Sequence, residues 1–437
     1  MMTADAGTVA IGFLLMLALM AAGLHIATVM FAIGVIGAAM FLGMPAVNAL
    51  GVVYFESMND ELLLALPLFI LVGEILVRCG ATDDMYKALS QWLNPLPGGL
   101  LHTNIASSAV FSAVSGSSVA TAATIATVAL PTFKRRQYDQ RMVLGSIAAG
   151  GSLGNLIPPG IALIIYGVLT NTSVARLYAA ATVPGIVLTA MFMIAIVAMA
   201  LYRPSIAPRE AAPPPLAQRI RDLSGLAAPL FIFAVIMGSI YAGWATPTEA
   251  AALAVVVSLP IAALYRKLSI AMLHEAFLAT VKLTALSMLI LAGAFALNFV
   301  LGLLGATRAL SSYVGGLQLS GIALIYALFV FYVILGTFFE TLPMMVGTLP
   351  LVFPLTTAAG IDPVWFGVFL VLMCEISLIS PPVGMTLYVI QAVRGEGSIG
   401  DVFRGTVPFF VTMLLMTLLL IHWQDMALWL PRWVFGP

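Results

Sequence analysis

Charge is the scarcest commodity in this chain: only 8% of its 437 residues are Asp, Glu, Lys or Arg, against 62% hydrophobic. Soluble domains carry roughly 25% charged residues, so a surface covered by water is excluded. The 18 basic and 18 acidic residues cancel, which removes the positive field that a nucleic-acid partner needs. Cysteine is nearly absent too. Cys79 and Cys374 are far apart in apolar surroundings, so neither a disulfide framework nor a CxxC metal or redox motif is available. No Lys or Arg precedes Arg78, so the basic start of a signal peptide is missing and the first apolar stretch is expected to be retained. Nucleotide and protease motifs fail on inspection. Gly151 to Gly154 lacks the GK[ST] of a P-loop, and His274-Glu275 is followed by Leu278 where HExxH requires a second His. Neither enzyme chemistry, an organic cofactor nor ATP binding is expected.

What fills the chain is apolar sequence. Segments lie at about 8–24, 26–43, 62–78, 100–131, 142–169, 178–201, 226–243, 249–265, 278–305, 320–354, 364–391 and 406–423. A helix crossing roughly 30 Å of hydrocarbon needs about 20 such residues, so the chain is an all-α polytopic membrane protein with roughly ten crossings of a lipid bilayer. Two segments are too long for one crossing and carry small or polar residues at their centres. These are 100–131, with Ser115-Gly116-Ser117-Ser118, and 320–354, with Gly336-Thr337 and Glu340-Thr341. Each is expected to enter the membrane and return as a re-entrant helical hairpin. Two more, 142–169 and 364–391, contain Pro158-Pro159 and Pro381-Pro382 and are expected to be broken helices.

Lys and Arg collect on the cytoplasmic side of membrane proteins. Lys134-Arg135-Arg136 and Arg141 follow the first hairpin, whereas Leu355 to Val364 after the second holds no basic residue. The two mouths therefore face opposite sides. Arg203, Arg209, Arg219 and Arg221 flank the Pro-rich stretch Pro213-Pro214-Pro215, a cytoplasmic linker at 203–224 between halves 1–202 and 225–437. The interval from Pro131 to Pro158 is the same as that from Pro354 to Pro381, so a single offset superposes the two proline frames. At that offset Ser118 meets Thr341 and Gly98 meets Gly321. Opposite flanking charge makes the halves inverted repeats, an arrangement common in secondary transporters. Symmetry also predicts that the opening run splits near His25, because the second half starts with two short spans.

Non-helical backbone survives at membrane depth only where protein buries it or where it lines a wet cavity. Prolines remove amide donors and leave carbonyls unpaired, and carbonyls with hydroxyls suit a hard cation such as Na⁺. Ser115 to Ser118 with Gly154 to Pro159 is one such cluster. Gly336, Thr337, Glu340 and Thr341 with Ser377, Ser380, Pro382 and Val383 is the other. Substrate is expected between them. Glu340 is an intramembrane acid, suited to neutralising a cation or carrying a proton. Glu74 and Arg78 form an i,i+4 pair, and Thr246-Pro247-Thr248-Glu249 has the pattern of a capped helix start.

Four stretches resemble the large membrane subunit of tripartite ATP-independent periplasmic (TRAP) transporters: Ser115 to Ala120, Gly154 to Tyr166, Gly243 to Ala251 and Ser380 to Gly384. The likeness runs from about residue 8 to 425. The resemblance implies an elevator-type carrier in a bacterial inner membrane, coupled to Na⁺ at two or more sites, taking up an organic acid delivered by a periplasmic binding protein. It also implies a small four-helix membrane subunit as a separate partner. Carried over by motif, one Na⁺ site uses Ser115, Ser117, Ser118, Gly154, Ile157 and Pro159. The other uses Gly336, Thr337, Ser377, Ser380 and Val383. The candidate substrate residues are Ser115, Gly116, Asn155, Pro159, Thr337, Glu340 and Pro382. The family usually has Gly where Ser377 stands, Thr where Ser380 stands, and frequently Asp near Glu340, which leaves the role of Glu340 open. Two alternatives stand beside this expectation. One is an H⁺-coupled carrier of the same fold working through Glu340, and the other is a channel or non-transporting assembly subunit.

Overall fold

A computed structural model of the chain describes residues 6–134, 136–208, 214–305 and 320–436. Arg135, Arg209 and Pro213 of the charge and linker expectations lie outside the described residues. Among those described, all regular structure is helical. The first half runs α1 (Ala6–Ala21), α2 (Ile26–Gly37), α3 (Met44–Met58), α4 (Ala65–Cys79), α5 (Ala81–Leu93), α6 (Leu100–Ser115), α7 (Ser118–Lys134), α8 (Gln140–Gly151), α9 (Ile161–Thr170) and α10 (Val174–Tyr202). The second runs α11 (Leu216–Asp222), α12 (Ala227–Tyr241), α13 (Pro247–Leu264), α14 (Ile270–Leu303), α15 (Gly321–Gly336), α16 (Thr341–Ala358), α17 (Pro363–Leu378), α18 (Met385–Arg394), α19 (Ile399–His422) and α20 (Asp425–Phe435).

The opening run does break, between Ala21 and Ile26, where Gly23 adopts φ 88°. Only glycine takes that left-handed backbone without steric cost. The long segments break as well, α6 from α7 at Gly116-Ser117 and α15 from α16 at residues 337–340. So do the proline segments, α8 from α9 at 152–160 and α17 from α18 at 379–384. Among the described residues, seven helices are long and apolar enough to cross a membrane unaided. The expected ten counted apolar sequence: α1 and α2, and the broken segments whose parts α8, α9, α17 and α18 have 10 to 16 residues each, are too short singly, whereas α16, an arm of the second hairpin, is among the seven.

Helix starts repeat in the same register as the prolines. Asp139 accepts from the backbone N–H groups of Arg141 and Met142 at 2.9 and 3.1 Å, and Asp362, its equivalent in the second half, accepts from Val364 and Trp365 at 2.8 and 3.0 Å. Each aspartate satisfies amides that the helix itself cannot. Thr246 opens α13 with the expected reciprocal cap, its hydroxyl taking the Glu249 N–H while Glu249 takes the Thr246 N–H.

Lipid supplies no hydrophobic drive between helices, so close approach of small residues does the packing. A Cβ on Gly145 of α8 would lie 1.9 Å from the Gly405 carbonyl oxygen of α19, and one on Gly293 of α14 would lie 2.7 Å from the Ala27 carbonyl of α2. Polar ties reinforce this: Tyr86 donates to Asn104 at 2.7 Å and Asn104 to Ser146 at 2.9 Å, joining α5, α6 and α8. At one end of the molecule Lys134 meets Glu396 at 2.9 Å and Arg141 meets Asp401 at 3.1 Å. This ties the end of α7 and the start of α8 to the segment after α18. Three short helices escape hydropathy reasoning because none is a long apolar run: α3, α5 and α20. On α20, exposed Trp429 and Trp433 stack with centroids 6.4 Å apart, the residue type that belongs at a membrane–water boundary.

Candidate functional site

The breaks in the first half interlock backbone to backbone. Gly116 ends α6 at φ 60°, its carbonyl accepts the Ile161 N–H at 3.0 Å, and a Cβ there would lie 2.3 Å from the Pro159 carbonyl oxygen. A Cβ on Gly154 would lie 2.3 Å from the backbone of Ser118. No other residue fits at either position. Ser115, Ser118 and Asn155 are buried and Ser117 is half-buried; Ser115 shares a hydrogen bond with Thr121 at 2.9 Å. Pro158 and Pro159, joined by a cis peptide bond, have no N–H to offer. The carbonyls of Gly154, Ile157 and Pro159 accept no hydrogen bond from a described residue. They fit the oxygen set a hard cation takes. The predicted cation residues of the first half, Ser115, Ser117, Ser118, Gly154, Ile157 and Pro159, thus belong to two loops in contact.

The second half brings fewer of its residues together. A Cβ on Gly336 would lie 2.9 Å from the Ser377 Cβ, and Thr341 donates to the Cys374 carbonyl at 3.4 Å. The hydroxyls of Thr337 and Ser377 turn back onto their own helices, donating to Ile334 at 2.7 Å and Cys374 at 2.6 Å. Ser380 is buried, and its carbonyl takes the Gly384 N–H at 2.9 Å. Pro382 and Val383 are exposed, with the Pro382 carbonyl accepting from Tyr388 at 2.8 Å.

A cavity of about 230 Å³ lies between the two clusters. Ser115, Ser117, Ser118 and Asn155 line it from the first half, Glu340 and Thr341 from the second, with Glu74 of α4 and Ser287 of α14 at its wall. Gly116, Pro159, Thr337 and Pro382 are not among its lining residues. Glu74 is ion-paired with Arg78 one turn along the same helix, and Glu275 stands 3.7 Å from the same guanidinium. No group of three or more His, Cys, Asp or Glu that would hold a metal occurs among the described residues. A cation here would be held by carbonyls and hydroxyls.

One site residue went unread in the sequence. Glu375, on α17, is fully buried; it accepts from Ser118 at 2.6 Å through Oε2 and from the Asn155 side-chain amide at 2.8 Å through Oε1. Asn155 closes the triangle, its backbone N–H and its side-chain amide each donating to the Ser118 hydroxyl at 3.0 Å. The Ser118 hydroxyl, with one hydrogen and two lone pairs, is then fully engaged. The signal was present: a lone acid inside the apolar run Val364 to Ile376 obeys the same rule that singled out Glu340.

Comparison with known proteins is in keeping with this geometry. The profile of the tripartite ATP-independent periplasmic transporter DctM component matches residues 13–426. The chain is 32% identical over 391 residues to the C4-dicarboxylate TRAP transporter large permease protein DctM of Pseudomonas aeruginosa, covering 89% of this chain and 90% of that protein. It is 28% identical over 386 residues to the sialic acid TRAP transporter large permease protein SiaM of Vibrio cholerae, covering 87% and 88%. Its fold is similar to the crystal structure of the Alcanivorax borkumensis YdaH transporter, with a TM-score of 0.61 at 15% identity over 92% of this chain and 91% of that one. The chain therefore belongs to the DctM family of tripartite ATP-independent periplasmic transporters: it is a transport permease and not an enzyme, integral to the bacterial inner membrane.

Proposed function

We propose that this permease takes up an organic acid by coupling its entry to Na⁺, with the acid presented by a periplasmic binding protein and the chain held beside a small four-helix membrane subunit. The single observation that carries the reading is the cavity between two pairs of helix breaks, hydroxyls on its wall and unpaired carbonyls behind it. A carboxylate entering such a site needs positive charge. Among the described residues no Lys or Arg lines the cavity, and Arg78 nearby is taken up by Glu74, so cations bound at the breaks would supply what the substrate requires. Similarity to a C4-dicarboxylate permease and to a sialic acid permease supports an acidic substrate.

The halves 1–202 and 225–437 are inverted repeats in this reading, and the recurrence of proline pair, helix break and aspartate cap in one register supports it. The end that gathers Lys134, Arg141 and Arg394 is cytoplasmic. The four broken elements form a moving body that slides as an elevator against α2, α4, α13 and α14.

Uptake by proteoliposomes holding the chain, its small subunit and the binding protein tests this directly. A rate that requires an inward Na⁺ gradient is expected, and a rate indifferent to Na⁺ would refute it. Glu340 on the cavity wall favours a second reading, in which the coupling ion is H⁺. In that case Glu340→Gln abolishes uptake driven by a pH gradient; in the Na⁺ reading it leaves Na⁺-driven uptake largely intact.

A further inference from the structure

The triangle of Ser118, Asn155 and Glu375 has no counterpart in the other half. In the register that superposes Pro158 on Pro381, Glu375 falls on Ser152, which donates to the Ala149 carbonyl of its own helix at 2.8 Å. Ser118 and Asn155 fall on Thr341 and Leu378 in the same register. This departure from the repeat ties the tip of the α6–α7 turn and the α8–α9 break to a helix of the opposite half. Glu375 is fully buried, and no basic side chain forms an ion pair with it among the described residues. Its two oxygens are met by one hydroxyl and one amide. A buried carboxyl group is costly to hold unless such donors are fixed in place, so the arrangement survives only where the three segments are kept in register.

We propose that Glu375 is a positioning residue for transport, a clamp that locks the first turn and the first broken helix onto α17, so that the open carbonyls of the first cluster and the residues of the second are presented as one rigid unit. The proposal rests on the reading above that those clusters hold the coupling ions. Glu375 lies behind the cavity wall rather than on it and acts through Ser118 and Asn155. Its two carboxyl oxygens are required as acceptors because Ser118 and Asn155 both donate. An amide in its place would set an N–H either against the Ser118 hydroxyl, which already accepts two hydrogen bonds, or, turned over, against the Asn155 amide, which donates.

The test uses the full chain with its partners, reconstituted in vesicles, carrying Glu375→Gln or Glu375→Asp. Opening of the clamp is read by Val114→Cys, a position buried on the last turn of α6, labelled with a maleimide and scored site by site by mass spectrometry. Glu375→Gln is expected to speed labelling at 114 about fivefold or more, as a locally opened turn would. It should lower the maximal uptake rate about tenfold while the substrate KM moves less than about twofold, since the substrate wall itself is untouched. Glu375→Asp keeps two acceptor oxygens and is expected to recover part of the rate. Labelling and uptake at parent levels in Glu375→Gln would overturn the clamp. Should Glu375→Gln not yield folded protein, Ser118→Ala is added to remove the crowded oxygen: recovery supports the clamp and continued failure overturns it. Labelling does not depend on the coupling ion, so a parent chain indifferent to Na⁺ counts against the ion reading alone.

Discussion

Ser118 and Glu375 are 257 residues apart in the chain, yet the hydroxyl of the first lies 2.6 Å from the carboxylate of the second. A hydrogen bond of this kind is worth about 1 kcal/mol net, and leaving either buried partner unmet costs about 1–3 kcal/mol. This contact joins the two halves at the wall of the cavity, beside the backbone breaks that would take cations. It makes the first break depend on a helix that the repeat places in the second half.

Gly154→Ala should abolish uptake. The added methyl would sit 2.3 Å from the backbone of Ser118, which no rotation of a side chain relieves. Overpacking of this kind typically costs about 1–3 kcal/mol, and here it pushes apart the two loops of the site. The midpoint of thermal unfolding in detergent should fall, and transport should be lost even where folded protein is recovered. Gly336→Ala meets Ser377 less closely, its Cβ at 2.9 Å and its Cα at 3.3 Å, and should be milder in both assays; the reverse order would contradict this account.

Tyr332→Phe should destabilise by about 1 kcal/mol and leave uptake intact. Tyr332 and Thr348 are buried partners at 2.8 Å between α15 and α16, and Thr348 keeps a second bond to the Met344 carbonyl at 2.7 Å. Removing the phenol oxygen therefore orphans nothing. A loss of several kcal/mol in a denaturation series would show that the hydroxyl does more than join the two helices.

Asp139→Ala and Asp362→Ala remove equivalent caps and should cost similar amounts, about 1 kcal/mol each. The sites are on different helices with no shared partner, so the double variant should lose the sum. Unfolding midpoints of the two singles and the double decide this.

The pair of Lys134 and Glu396 should respond to acid and to salt. The Lys134 hydrogen bond and charge hold the Glu396 carboxyl below its ordinary value. A carboxyl depressed in the folded state contributes stability above its unfolded pKa of about 4.5, and that contribution disappears as pH falls through the lower folded value. The stability gap between the parent and Lys134→Ala should therefore be largest near neutrality and vanish in acid. Because both groups are exposed, the gap should be small and should shrink further in about 1 M salt. A gap unchanged by pH and salt would assign the effect of Lys134 to packing.

Much of the architecture was legible because membrane folding obeys local rules. Glycine and proline weaken a helix, and at Gly116, Gly154 and the pairs Pro158-Pro159 and Pro381-Pro382 they marked real breaks, whereas single prolines such as Pro131, Pro184 and Pro408 stay inside helices. The short helices α3, α5 and α20 were not legible, because hydropathy recognises only segments long enough to span. Among the candidate site residues, Ser115, Ser117, Ser118 and Asn155 line one cavity, whereas Pro382 and Val383 lie exposed outside it. Their motif resembles the first proline pair, but sequence offered nothing about which neighbours would cover it.

The sequence by itself determined that this chain is built for a bilayer and where its helices must fail, since both follow from transfer energies and backbone chemistry within a few residues. Tertiary structure alone decided which failures meet. Glu375 read as one acid in an apolar run until folding set it against Ser118 and Asn155, residues 257 and 220 positions away. Hydrogen bonding acts over about 3 Å, and a linear sequence holds no record of which distant donors will come that close.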